Sequence, residues 1–272
     1  MIDRRVYEFF AASDGRTVKG DLSAVERQAD RFCSLVAGGE YAEASGAIRA
    51  ENSLTALEKR QIIDSINKWY LCHRNVEWGN HGIRRTFRFW DDAEKRTYLK
   101  QAQTLVTVLR EFTPFVTFGF GSVLGFIRDN GFIPHDDDMD LLVALPARGE
   151  TFRSAKRRLR EFLEPRGFNL HGDETNFPTH FGVNTASEKA KTAVDVFVGF
   201  IERDRVAWFP SSRSGMPVTD VFPTSSMTVH GETVSIPAHP ERYLEATYGP
   251  DWREPITIWN HPWQLREFKE FI

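Results

Sequence analysis

Four carboxylates fall within five positions, Asp136, Asp137, Asp138 and Asp140, and lead straight into the apolar run Leu141-Leu142-Val143-Ala144-Leu145. The run reads as a strand entering a core. Its acids cannot follow it there uncompensated, because like charges leaving bulk water repel one another and lose hydration. Either solvent screens them in a surface turn or a cation neutralises them. In an extended chain alternate side chains share a face, so Asp138 and Asp140 are expected to point one way and Met139, Leu141 and Val143 into the core on the other. Such a pair is a two-toothed ligand for a hard, oxygen-seeking ion such as Mg²⁺, with Mn²⁺ as the alternative.

A third acid, Asp195, interrupts a second β-rich run, Ala193-Val194-Asp195-Val196-Phe197-Val198. Burying an unpaired carboxylate is costly or forces protonation, so Asp195 needs a partner: a metal shared with the first pair, or a core Arg or Lys. Three carboxylates on adjacent strands can hold one or two Mg²⁺ ions, which bridge donor phosphates and activate an acceptor hydroxyl.

Upstream, Gly119-Phe120-Gly121-Ser122 is expected to close a strand and open a short helix from Val123 to Arg128. Backbone N–H groups at a helix start bind anions and glycine permits close approach, so Gly121 and Ser122 are candidates for holding a donor phosphate. Arg128 could reach the same phosphate as a planar fork. The competing readings are a simple turn and cap for Gly121 and Ser122, and pairing with Asp129 for Arg128. Gly119, Gly121 and Gly125 are spaced one residue too long for a dinucleotide fingerprint, no Gly-Lys-Ser/Thr forms a P-loop, and Leu141 and Ala147 stand where an EF-hand needs Gly and Glu.

Composition narrows the partners. The 272 residues carry 35 Lys and Arg against 38 Asp and Glu, a net charge of −3 that argues against a nucleic-acid polymer. Two distant cysteines, Cys33 and Cys72, make a disulfide framework or a Cys-rich zinc site unexpected. The longest uncharged run, Phe112 to Ile127, has 16 residues and includes Pro114, short of a membrane span of ~20 apolar residues. With charge in the first residues where a secretory signal would be apolar, a cytoplasmic location is expected, with the inner face of a membrane as the other option.

Residues 1 to about 90 read as a mainly helical region of unassigned role, with one helix around Ala24 to Val36 and another starting at Ser53; the irregular stretch Glu77 to Arg88 is the candidate boundary. Asp91 or Asp92 caps a long helix to about Phe112, and a β-rich segment follows at Phe115 to Phe118. Asp129-Asn130-Gly131 is a tight turn. A helix from about Thr151 to Leu163 and strands near Phe168 to Leu170, His180 to Asn184 and Ala193 to Ile201 complete a mixed sheet with helices on it, an α+β arrangement over residues 91–272.

The run from Gly121 to Asp140, GSVLGFIRDNGFIPHDDDMD, resembles the signature of the LicD family, which includes fukutin-related proteins: roughly G-[ST]-x-L-G-x-x-R-x-x-G-F-I-P-W/H-D-D-D-[ILM]-D. Asp195 fits the family's third acidic position, and Tyr243 to Trp252 resembles its closing Y-G-x-x-W segment. The resemblance covers roughly residues 95 to 255. It implies a nucleotidyltransferase-like fold and a transferase that moves a phospho-alcohol group, such as phosphocholine, ribitol phosphate or glycerol phosphate, from a CDP-linked donor. The implied acceptor is a hydroxyl of a glycan or lipid-linked glycan, and the released product CMP. It places Asp138, Asp140 and Asp195 as catalytic and metal-ligating residues and Gly121, Ser122 and Arg128 at the donor phosphate. The alternatives are nucleotidyl transfer from a nucleoside triphosphate with release of pyrophosphate, and an inert glycan-binding module.

Asp136, Asp137, His135 and His180 are further pocket candidates. His135 occupies a family position often held by Trp, so packing and chemistry are both open, while for His180 a satisfied structural histidine is the favoured reading over a pocket-lining one. The basic segment Arg153, Lys156, Arg157, Arg158 and Arg160 reads as a solvated helix face, with attraction of an anionic donor or glycan as the second reading. Trp259, Trp263, Phe268 and Phe271 read as aromatics buried on the domain, with weak peripheral membrane contact as the alternative.

Overall fold

The computed structural model describes residues 1–12, 22–172, 179–185, 193–213, 215–255 and 265–271. The chain divides into two units, Met1–Phe89 and Trp90–Ile272. The first unit holds α1 (Ile2–Ala11), α2 (Ala24–Ala37), α3 (Tyr41–Ala50) and α4 (Ala56–Ile66), which runs on through a π-type turn to Leu71. The hairpin β1 (Glu77–Gly79) and β2 (Gly82–Arg84) follows, in the stretch expected to be irregular.

The helix expected from Ser53 starts instead behind Thr55. The Thr55 hydroxyl accepts from the Glu58 N–H while the Glu58 carboxylate accepts from the Thr55 N–H, a reciprocal cap that Ser53 cannot form because the residue three on is Ala56. Helix α3 carries little apolar period: Ala44 and Ser45 face inward with Ile48, and small residues leave a weak signal. Val6, Phe32, Ile62, Ile66 and Leu71 form the core of this unit, and the buried Arg5 is ion-paired with Asp30.

In the second unit α5 (Asp92–Phe112) starts at the Asp91 cap and buries Tyr98, Leu99, Ala102, Leu105, Val106 and Leu109 along one face. Strand β3 (Val116–Phe118) leads into α6 (Phe120–Leu124), which continues as a π-type turn over Gly125–Asp129. The left-handed Asn130 then turns the chain back. After β4 (Met139–Pro146), α7 (Phe152–Leu163), β5 (Phe168–His171), β6 (His180–Thr185), β7 (Val194–Glu202), β8 (Arg205–Trp208) and β9 (Met216–Pro217) come α8 (Val218–Val221), the hairpin β10 (Ser225–Val229) and β11 (Glu232–Ile236), and α9 (Pro240–Tyr248).

The main sheet has the order β3-β4-β7-β6-β5, with β8 on the second half of β7 and β9 beyond it. Strands β4 and β7 are parallel and every other neighbouring pair is antiparallel, a mixed sheet flanked by helices. One expectation needs correction. Leu142 and Ala144 are as fully buried as Leu141 and Val143, so β4 is covered on both faces. A strand in this central position reads as a continuous apolar run for that reason.

The basic face of α7 is also not wholly solvated. Lys156 is buried at 3% exposure on the side that carries Phe152, Ala155 and Leu159, with its stem in the core and its ammonium 5.9 Å from the Phe181 ring centre. Phe268 and Phe271 are buried against Phe152, Phe200 and Phe209. Trp259 and Trp263 lie outside the described residues.

Candidate functional site

The parallel ladder between β4 and β7 opens with Met139 opposite Val194 and Asp140 opposite Asp195. Two acids far apart in sequence therefore sit side by side on neighbouring strands, ~4.8 Å apart at the backbone. The approach to β4 supplies the rest: carboxylate oxygens of Asp136, Asp137 and Asp138 lie within 4.8 Å of one another, and Asp137 is 8% exposed. Asp137, a pocket candidate in the sequence, is thus one of the more buried acids.

The Asp140 carboxyl is held well above the ordinary carboxylate range, first by burial and then by Asp138, Asp195 and Asp136; an N–H from Gly121 opposes the rise. The acids act on one another as a single electrostatic group. A concentration of carboxylates that raises its own proton affinity has the chemistry of a hard-cation site, and Mg²⁺ or Mn²⁺ suits this donor set. Asp136, Asp137 and Asp138, whose carboxylate oxygens converge, could hold such an ion, with Asp140 and Asp195 on the strands beside them.

Gly121 and Ser122 support Asp140. Helix α6 begins at Phe120, three residues before the predicted start, and three N–H groups of its first turn have partners. The Phe120 N–H donates to the Tyr243 hydroxyl at 2.8 Å, the Gly121 N–H serves Asp140, and the Val123 N–H returns to Gly119 at 3.2 Å. Ser122 Oγ accepts from the Asp140 N–H at 2.9 Å. The Gly-Ser pair fixes Asp140 from both its side chain and its backbone. The same two residues that were expected at a donor phosphate thus also support Asp140.

Glycine is required here by proximity. A Cβ on Gly121 would stand 2.8 Å from Asp136 Oδ2 and 3.8 Å from Asp140 Oδ2. On Gly125 it would meet backbone, Gly131 O at 2.8 Å and Ile133 N at 2.9 Å. The two substitutions should separate. Gly125→Ala should lower stability by about 1–3 kcal/mol, the usual cost of overpacking. Gly121→Ala should leave the melting temperature near that of the parent and weaken Mn²⁺ binding, because only a carboxylate has to move. Thermal melts and Mn²⁺ titrations of the two variants check this, and equal melting temperatures would reject it.

Arg128 makes its planar fork, but to its neighbour Asp129, at 3.0 and 2.9 Å. The sequence-adjacent carboxylate is the nearest partner for the guanidinium. His135 is half-buried in the turn that the Asp136 N–H closes onto Ile133 O at 3.1 Å. His180 stacks on Phe197, ring centres 4.5 Å apart, and its pKa falls to about 4, first through burial and then through Lys156, so the ring is neutral at pH 7. Its place opposite Phe197 is two positions along β7 from Asp195. Gly182 stands opposite Asp195, and a Cβ there would lie 3.1 Å from Ala193 Cβ and in ordinary contact, 3.4 Å, with Asp195 Oδ1.

Helix α9 adds two tyrosines. The Tyr243 ring is buried beneath Phe120, and Tyr248 feels burial first, then Tyr243, Asp140 and Asp136, all raising its pKa, while Arg128 lowers it. The mixed sheet, the acids shared by two parallel strands and the glycine-led helix beside them define a nucleotidyltransferase-like domain. Residues 116–239 match the LicD family, described as the LicD/FKTN/FKRP nucleotidyltransferase domain. The match opens at β3 and closes before α9, so α5 and α9 lie outside it. No curated protein matches the chain. Among the described residues no helix is long and apolar enough to cross a membrane.

Proposed function

We propose that the domain is a divalent-metal-dependent transferase that moves a phospho-alcohol group from a CDP-linked donor to a hydroxyl of a glycan or lipid-linked glycan. The observation that carries this reading is the pairing of Asp140 with Asp195 at the start of the β4–β7 ladder, beside the Asp136–Asp138 cluster. The acceptor hydroxyl oxygen forms a bond to the phosphorus distal to the nucleoside, the bond from that phosphorus to the bridging oxygen breaks, and CMP departs with the electron pair. Asp195 orients the hydroxyl and takes its proton, or completes the metal site. Asp138 and Asp140 hold the ion, and Gly121 and Ser122 hold Asp140. Arg128 would present to a donor phosphate the same fork it now gives Asp129. When bound, the ion supplies charge neutralisation at the donor phosphates.

A CMP-release assay over CDP-choline, CDP-ribitol, CDP-glycerol and CDP-ethanolamine, with Mg²⁺ and glycan acceptors, tests the reading. CMP formed only with metal and acceptor together is the expected result. Pyrophosphate released from a nucleoside triphosphate, with no CMP from any CDP-alcohol, would replace this reading with nucleotidyl transfer. Glycan binding without turnover of either donor class would leave a binding module.

A further inference from the structure

We propose that Tyr98 is a positioning residue whose hydroxyl clips together the starts of the two strands that carry Asp140 and Asp195. Tyr98 lies on α5, outside the segment that matches the family, and is 3% exposed. Its hydroxyl accepts from the Met139 N–H at 3.1 Å and donates to the Ala193 carbonyl at 2.6 Å. Met139 stands between Asp138 and Asp140, and Ala193 is two residues before Asp195. The first rung of the β4–β7 ladder pairs Met139 with Val194, so the phenol bridges the strands where regular pairing begins.

The other edge of β4 is tied in the same way. Successive N–H groups of a strand point to opposite sides. That of Met139 meets Tyr98, and that of Asp140 meets Ser122 Oγ at 2.9 Å. The backbone between Asp138 and Asp140 is therefore pinned on both sides by neutral hydroxyls.

Neutrality matters. Carboxylates on the two strands repel, and that repulsion acts to spread the strand starts before an ion arrives. A Lys or Arg in place of Tyr98 would oppose the spreading but would also compete with the ion for the carboxylates. A phenol tied to backbone atoms restrains the strands and leaves the carboxylates available. Burial, with Asp138, Asp195 and Asp140 nearby, drives the phenol pKa far up, so the hydroxyl keeps its proton and goes on donating. The ring itself is seated by Trp90, centres 5.5 Å apart.

This inference rests on the metal reading proposed above, and the test separates the two. Mn²⁺ binding to the full chain is followed by the electron paramagnetic resonance of the free ion, for the parent, Tyr98→Phe and Thr113→Val. Thr113 is the control: its buried hydroxyl donates to the Ala144 carbonyl at 3.1 Å, on the same strand but at the end away from the acids. Tyr98→Phe is expected to weaken Mn²⁺ binding by about 10-fold, the lower end for groups that orient metal ligands, while Thr113→Val leaves it unchanged. Equal Mn²⁺ affinity in the parent and Tyr98→Phe, or equal weakening in both variants, would overturn the clip and leave the metal site standing. A parent that takes up no Mn²⁺ would overturn the metal reading and the clip with it.

Discussion

Asp140→Asn is expected to remove metal-dependent turnover, by about 10³-fold or more, while the fold persists and the metal-free protein becomes harder to melt at pH 7. The loss follows from charge. Neutralisation of phosphate by a carboxylate-held ion supplies several kcal/mol, and about 4 kcal/mol corresponds to three powers of ten in rate. The gain in stability follows from the same carboxyl, whose pKa is held above its ordinary 3.8 by burial and by Asp138, Asp195 and Asp136. Between the unfolded and folded pKa values the native state holds the proton more tightly, so native stability falls as pH rises through this window. At pH 7 the asparagine escapes that cost, and below the unfolded value it has nothing to escape. The stabilisation should therefore fade as the pH is lowered towards 4. CMP release and melts in chelator at pH 7 and pH 4 measure both effects, and turnover within a few-fold of the parent would remove Asp140 from the site.

What could be read in advance differs between the two acids and their supports. The Asp136–Asp140 run and the lone Asp195 stood out because the first leads into an apolar β run and the second interrupts one, and a carboxylate there demands a partner. The start of α5 was legible to within a residue, because Asp91 and Asp92 both offer a cap; Asp91 is the one used, with Glu94 reciprocating. The parallel register of Asp140 with Asp195 was not, since α7, β5 and β6 intervene and only sheet order decides it. Tyr98 was hidden in the helical stripe of Leu99, Ala102 and Leu105, where it reads as one more core residue; the available signal was its hydroxyl, which a buried tyrosine has to satisfy. The hydrogen bond from the Gly121 N–H to Asp140 was not legible, because sequence cannot show that Asp140 folds back onto it. Arg128 pairs with the adjacent Asp129, one of the two readings open for it, and the fork it forms there is the one a donor phosphate would take.

Asp195→Asn tests fold and mechanism at one position, because its relation to the other acids depends wholly on the β4–β7 pairing. The carboxylate is half-buried opposite Asp140, with Gly182 on its other side holding no side chain that could replace it. Asparagine keeps the size and a carbonyl oxygen but loses the charge and the capacity to take a proton. If Asp195 deprotonates or orients the acceptor, the rate with a saturating donor should fall by roughly 10² or more, the ordinary scale for a lost general base, while the donor KM changes little. If it chiefly completes the metal site, the Mg²⁺ concentration giving half-maximal rate should rise instead, and added metal should recover part of the loss. The two signatures divide the roles, and both require the strand neighbour seen here. Full activity at ordinary Mg²⁺ in Asp195→Asn would reject both roles and leave Asp195 a structural acid beside a site built from Asp136, Asp137, Asp138 and Asp140 alone.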